Sequence, residues 1–256
     1  MKDCEVTRMK IEILFPEVCN LYAELQNIEY LKRCDPSIEI IHTDLKSRPE
    51  FLNGGIKLVY VGTTTEKGQE LVIESLKPYR DEIKKAIEDG QFMLLTGNAS
   101  EMFGSVIKCE DGKDIQGLGI LPTYAVRDMM HRYNTLWIGQ YYFEDGSKED
   151  VVGFKSQFTQ CFFDEGKGYD DEFKPLFVAE RGEGLHPGIK EEGLRWHNLY
   201  MTYLLGPLFI VNPLFTHTFL EEIGAENSEI AYKDASMRSF LKRCKEFREP
   251  DRGFTY

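Results

Sequence analysis

Short apolar runs alternate with charged, helix-periodic stretches through the first part of the chain. Met9 to Phe15 (MKIEILF) is an apolar run closed by Pro16 and predicts a first strand. Leu21, Leu25, Ile28 and Leu31 then recur at helical spacing in NLYAELQNIEYLKRC. Asn20 stands where its side chain can accept from the free N–H groups of a first helical turn. Ser37 to Leu45 (SIEIIHTDL) reads as a strand with β-branched support, and Ile56 to Gly62 (IKLVYVG) as a buried strand. The charged, periodic segment Glu66 to Asp89 predicts helix, broken near Pro78 and ended by Gly90. Phe92 to Thr96 (FMLLT) follows as another strand. Strand, helix, strand, helix, strand is the order of parallel crossover units.

Beyond Gly104 the pattern changes. Leu136 to Phe143, Val151 to Phe158 and Phe173 to Glu180 read as strands separated by acidic, glycine-containing turns. An apolar run from Leu199 to Leu208 precedes a helix starting near Pro213, and a charged helix from about Ser228 to Phe247 closes the pattern. With no repeat or Pro/Gly/Ser-rich linker, the expectation is a single domain over residues 1–256, with a C-terminal helical extension over about 214–256. The second half is expected to complete the sheet begun by the first.

Composition narrows the function classes. A net charge of -12, from 31 basic and 43 acidic side chains, repels phosphate backbones and argues against nucleic acid. No apolar stretch approaches a membrane span, and no basic-then-apolar leader opens the chain. Cys4, Cys19, Cys34, Cys109, Cys161 and Cys244 are dispersed without a CxxC pair, so neither zinc nor a disulfide framework is indicated. A reducing, cytoplasmic setting is the simplest account. Neither a phosphate-cradling Gly-x-x-x-x-Gly-Lys nor a Gly-x-Gly-x-x-Gly follows a strand, which leaves little basis for an ATPase or a dinucleotide enzyme. Glu191 and Glu192 read as solvated surface rather than a metal or glycosidase pair.

Thr96 to Gly104 (TGNASEMFG) turns sharply from strand to helix, the kind of strand end where ligands and nucleophiles gather. Its apex is Gly97 or Asn98, neither of which can attack a carbonyl. Ser100, one turn in, reads as a capping residue. Thr63, Thr64 and Thr65 end another strand, to cap the next helix or hold a polar ligand. Cys161 sits among apolar residues as a buried thiol, and nothing local sets His186 or His197 beside it. His42 and His217 have no motif around them, while His131 lies in a basic patch suited to solvent or an anion.

Four segments, in order, resemble the class I glutamine amidotransferase-like family, in its cobyric acid synthase branch. They are LFPEVCNLYAELQNIEYLKRC, KKAIEDGQFMLLTGNASEMFG, QGLGILPTYAVR and GLRWHNLYMTYLLGPLFIVNP. Within the branch the pattern is most similar to the amidotransferase subunits of bacterial lipid II isoglutaminyl synthases, and covers roughly Met9 to Pro213. The resemblance implies a three-layer, doubly wound α/β fold of flavodoxin-like type with a mainly parallel sheet. It implies no cofactor, and a Mur-ligase-like, ATP-dependent partner that amidates peptidoglycan precursors.

The functional positions depart from the family. Its elbow reads Cys-Gly-Gly-Tyr-Gln, whereas GNASE sets Gly97 at the nucleophile; YLLGP sets Leu205 where the family has its histidine base. Thr63 and Thr64 replace glycines of the oxyanion loop, and GFKSQFTQCF leaves Lys155, Ser156, Gln157, Phe158 and Gln160 in changed places. The expectation is therefore a catalytically inactive amidotransferase-like protein, structural or regulatory, partnering an amidoligase. Gln69, on the helix after the threonine loop, is expected near the partner face. Thr63, Thr64, Asn98, Ser100, Gln157 and Gln160 would line a surviving pocket. Two alternatives stand beside it: an enzyme using displaced groups such as Cys161 or His197, and a small-molecule binder using the former pocket. Self-association is a further option.

Overall fold

The computed structural model describes residues 8–225 and 228–251. Cys4 and the outer ends of the expected domain and C-terminal extension lie outside the described residues.

The first half follows the predicted alternation. β1 (Lys10–Leu14) leads through a 3-10 turn into α1 (Gln26–Cys34), then β2 (Glu39–Thr43), β3 (Leu58–Val61), α2 (Glu66–Leu76), α3 (Arg80–Glu88) and β4 (Phe92–Thr96). The break at Pro78 is real: a 3-10 turn, Lys77–Tyr79, separates α2 from α3. Asn20 does not cap α1 as expected. Leu21–Ala23 form the 3-10 turn, with Tyr22 and Ala23 at positive φ, so the helix opens at Gln26. The Asn20 side chain accepts instead from Leu25 N at 3.3 Å.

The elements that follow are α4 (Ala99–Phe103), β5 (Val106–Lys108), β6 (Ile115–Gln116), β7 (Thr123–Arg127), β8 (Tyr133–Tyr142), β9 (Lys148–Gln157), β10 (Thr159–Phe163), β11 (Phe177–Arg181), β12 (Glu191–Glu192), β13 (Leu194–Trp196) and β14 (Leu199–Thr202). α5 (Leu208–Val211), α6 (Pro213–Glu222) and α7 (Lys233–Arg248) close the described chain.

The main sheet has the order β13-β14-β4-β3-β1-β2, parallel throughout except for the edge pair β13–β14. Both faces are covered. Val59, Val61, Met93 and Leu95 pack with Val72, Ile73, Leu76, Ile83 and Ile87 of α2 and α3. Leu58, Tyr60, Leu94 and Tyr200 pack on the other side with Ile28 and Leu31 of α1 and Phe209, Phe215 and Phe219 of α5 and α6. Each such side chain withdrawn from water contributes about 1.5–3 kcal/mol. The strands read as continuous apolar runs because both faces are buried.

The second half corrects one expectation. Only β13 and β14 join the main sheet. β10-β7-β5-β6 and β12-β11-β8-β9 form two further four-stranded sheets. β8 and β9 are joined by a short acidic turn and pair antiparallel over their whole length, and β8 takes β11 on its other edge, so both of its edges are filled within this separate sheet. The strand expected from Phe173 begins at Phe177, and the helix expected from about Ser228 begins at Lys233.

Candidate functional site

Parallel strands carry their following loops to one edge of the sheet, so the ends of β3, β4 and β14 bring Thr63, Gly97 and Leu205 together. Thr202 pairs with Thr96 in register, and Gly97 N donates to Thr202 O at 2.8 Å. Gly97 adopts φ +59°, a left-handed turn that glycine makes without steric cost. A Cβ built there would overlap Thr63 Oγ1 and lie 3.1 Å from both Cβ and Cγ2 of the same residue. Thr63 therefore occupies the space into which any side chain at the elbow would project.

The threonine loop is stapled to the elbow. Thr64 N donates to Asn98 Oδ1 at 2.9 Å, and Asn98 Nδ2 donates back to Thr64 O at 2.8 Å. Thr64 Oγ1 donates to Val18 O at 2.8 Å. The three hydroxyls divide their work: Thr65 caps α2, accepting from Gly68 N at 3.1 Å, Thr64 ties the loop to Val18, and Thr63 faces the elbow, donating to Thr96 O at 3.4 Å. Ser100 is buried and donates to Gly97 O at 3.0 Å rather than capping α4, whose N-cap is Asn98. Leu205 is buried and pinned by backbone bonds in both directions with Phe154, at 2.9 and 3.1 Å.

These loops enclose a cleft of about 220 Å³. Of the expected residues Thr63, Thr64, Gly97, Asn98, Gln157 and Leu205 line it; Ser100 and Gln160 do not. Gln160 lies on β10 opposite Val126, which places it on the exposed side of a secondary sheet. Gln157 is buried: its Nε2 donates to Thr159 O at 2.6 Å, while Oε1 has no hydrogen-bond partner among the described residues.

Glu101 is the cleft residue that sequence reading missed. Its carboxylate accepts from Gln69 Nε2 at 2.9 Å and Tyr203 Oη at 3.3 Å, with Arg127 Nη2 at 3.9 Å. Burial outweighs these partners and pushes its pKa up to about 7. The available signal was an acidic residue inside the otherwise apolar helical turn ASEMF. Gln69, expected near a partner face, points inward: it is fully buried and also bonds Asn98 O and Arg127. Glu192 likewise departs from the expected solvated surface. It is buried, accepts from Thr202 Oγ1 and Tyr203 N at 2.7 and 2.8 Å, and pairs with buried Lys155 at 3.4 Å.

The displaced candidates do not meet. Cys161 sits on β10 opposite Ala125, and burial pushes its thiol up to about 12, which keeps it protonated and weakly nucleophilic. His197 lies in the β13–β14 turn, before Leu199, which pairs with Met93 at the start of β4. Gly97 follows the other end of that strand. Neither Cys161 nor His197 lines the elbow cleft. His186 stacks on Phe162, and His131 bonds Asp128 at 2.7 Å. Among the described residues no group of three or more His, Cys, Asp or Glu could hold a metal ion, and no helix is long and apolar enough to cross a membrane.

The geometry has parallels in known proteins. The chain is 27% identical over 205 residues to the GatD subunit of the glutamine-hydrolysing lipid II isoglutaminyl synthase of Staphylococcus aureus (strain N315), covering 79% of each. It is 22% identical to the GatD subunit of Streptococcus pneumoniae (strain ATCC BAA-255 / R6), covering 89% of this chain and 86% of the other. A solved glutamine amidotransferase superposes with a TM-score of 0.53 at 16% identity, over 83% of this chain and 98% of that one. The glutaminase domain of Trypanosoma brucei CTPS, solved with acivicin, superposes with a TM-score of 0.52 at 12% identity, over 87% and 96%. No family model matches the chain. The fold is class I glutamine amidotransferase-like, and the chain is distantly homologous to GatD subunits.

Proposed function

We propose that this chain is an amidotransferase-like subunit that performs no glutamine hydrolysis at its elbow and acts as a structural or regulatory partner of an amidoligase, Mur-ligase-like by its resemblance to GatD. The observation that carries this reading is the Thr63 side chain seated where an elbow nucleophile would project. Gly97 has no atom to attack a carboxamide, and Leu205 has none to move a proton. A substitution at the elbow alone would leave the space open; here the neighbouring loop has closed it. The fold and its surfaces persist without the chemistry. A cytoplasmic setting suits an ATP-dependent partner acting on cell-wall precursors.

The deciding experiment measures glutamate release from glutamine by the full chain, alone and mixed with a Mur-ligase-like protein from the same genome and ATP. The expected result is release at the buffer rate, with a stable complex on size-exclusion chromatography. Turnover abolished by Cys161→Ser would overturn the reading in favour of displaced catalytic groups. A second reading is supported by the partnerless Gln157 Oε1 and the Glu101 carboxyl: the cleft retains a small polar ligand without reaction. Saturable binding of glutamine, weakened by Gln157→Leu and unaccompanied by hydrolysis, would favour it.

A further inference from the structure

We propose that a second cleft, between the end of β8, the 171–178 segment and the β13–β14 hairpin, binds a small zwitterion with an aromatic body, the chemistry of an aromatic α-amino acid or a dipeptide. This cleft, of about 620 Å³, shares no lining residue with the one at the elbow, and the inference does not rest on the function proposed above.

Its wall offers rings and aliphatic surface. Tyr141 and Phe143 meet edge to face with centroids 5.1 Å apart, and Leu176 lies beside them in the lining. A ligand ring stacked there gains burial and the directional contact that aromatic pairs favour.

Arg195 supplies recognition of an anion. Its Nη1 donates to Tyr141 Oη at 3.0 Å and lies 3.8 Å from Glu222 Oε1, while the guanidinium sits 5.0 Å over the Tyr200 ring. These contacts hold the planar fork in place. Nε and Nη2 make no hydrogen bond to any described residue, which leaves two donors in the geometry that a carboxylate accepts. Glu144 and Asp171 line the same cleft, exposed, and form no ion pair among the described residues. Glu172, exposed in the same lining, accepts from Trp196 Nε1 at 3.0 Å. A plain anion would be opposed by these three carboxylates, and a plain cation by Arg195 and Lys174. A molecule carrying both charges satisfies both. His197 also lines the cleft, held at φ +50° by the two-residue β13–β14 turn.

Isothermal titration of the full chain with phenylalanine, phenylalanyl-phenylalanine, phenylalaninamide and 3-phenylpropionate tests the assignment. Phenylalanine or the dipeptide is expected to bind, and removing either charge from phenylalanine weakens binding about tenfold or more. Arg195→Gln should abolish the advantage of phenylalanine over phenylalaninamide. Because Arg195 also braces Tyr141 and Glu222, the paired variant Glu144→Gln/Asp171→Asn, on exposed side chains, provides the second arm. It should weaken phenylalanine and leave 3-phenylpropionate unweakened, with an unchanged unfolding midpoint. Absence of saturable heat with both zwitterions up to about 10 mM, equal binding of all probes, or indifference of the paired variant would each overturn the proposal.

Discussion

At the scale of the residue, the pair Gly97 and Thr63 decides what the elbow can become. Gly97→Ala introduces a Cβ into space that Thr63 fills, at a φ of +59° that disfavours any side chain. The expected loss is about 2–4 kcal/mol in urea unfolding, combining overpacking with backbone strain. In a Thr63→Gly background the same change should cost only about 1–2 kcal/mol, the strain alone. A double-mutant cycle reads the difference directly, and strictly additive energies would show that Thr63 does not fill the space. It follows that Gly97→Cys alone should release no glutamate from glutamine in a single-turnover assay. Gly97 and Leu205 were legible in the sequence because single letters at aligned positions state whether a thiol or an imidazole is present. Glu101, Gln69 and Glu192 were not, since burial of a polar residue depends on partners far away in the chain: Arg127, Tyr203 and Lys155.

At the scale of the element, α7 covers β8 and β9 through one small cluster. Phe240 and Cys244 pack against Ile138, Val152 and Val211, while much of the rest of the helix faces solvent. Phe240→Ala should cost about 3–5 kcal/mol and loosen α7 before the main sheet melts. Hydrogen exchange would report it as faster exchange of α7 amides with β3 and β4 amides unchanged; uniform acceleration across the chain would contradict this local role. The apolar periodicity of α1, α2 and α3 and the stop at Pro78 were visible locally. The start of α1 was not, because positive-φ residues Tyr22 and Ala23 interrupt a pattern that is apolar without being helical.

At the scale of the whole molecule, two buried carboxyls on separate elements link folding to pH. Burial raises both Glu24 and Glu101 to about 7 from an ordinary value of 4.5. The folded chain therefore holds more protons than the unfolded chain between those values. The stability these groups contribute is complete below the unfolded value and is lost as pH rises through about 7. By about pH 8 each ionisation costs on the order of 3 kcal/mol relative to acid conditions. The urea midpoint should fall from about pH 5.5 to about pH 8, and Glu24→Gln and Glu101→Gln should each flatten that decline. A profile as steep in both variants as in the parent would rule these carboxyls out as its source.

The sequence by itself determined the alternation of strand and helix over the first half, and with it an α/β class, and the lack of a thiol at Gly97 and an imidazole at Leu205. Those are properties of local periodicity and of residue identity, which need no knowledge of distant neighbours. Only the tertiary structure decided that the second half builds two further sheets, because strand partners such as β10 with β7 and β11 with β8 are distant in sequence and no local pattern states which edges meet. It alone placed Thr63 in the elbow, Glu101 in the cleft, and Cys161 and His197 apart from it. The loops after β3, β4 and β14 are far apart along the chain and become neighbours through the order of parallel strands. Which side chain fills the space beside a glycine is settled by that packing.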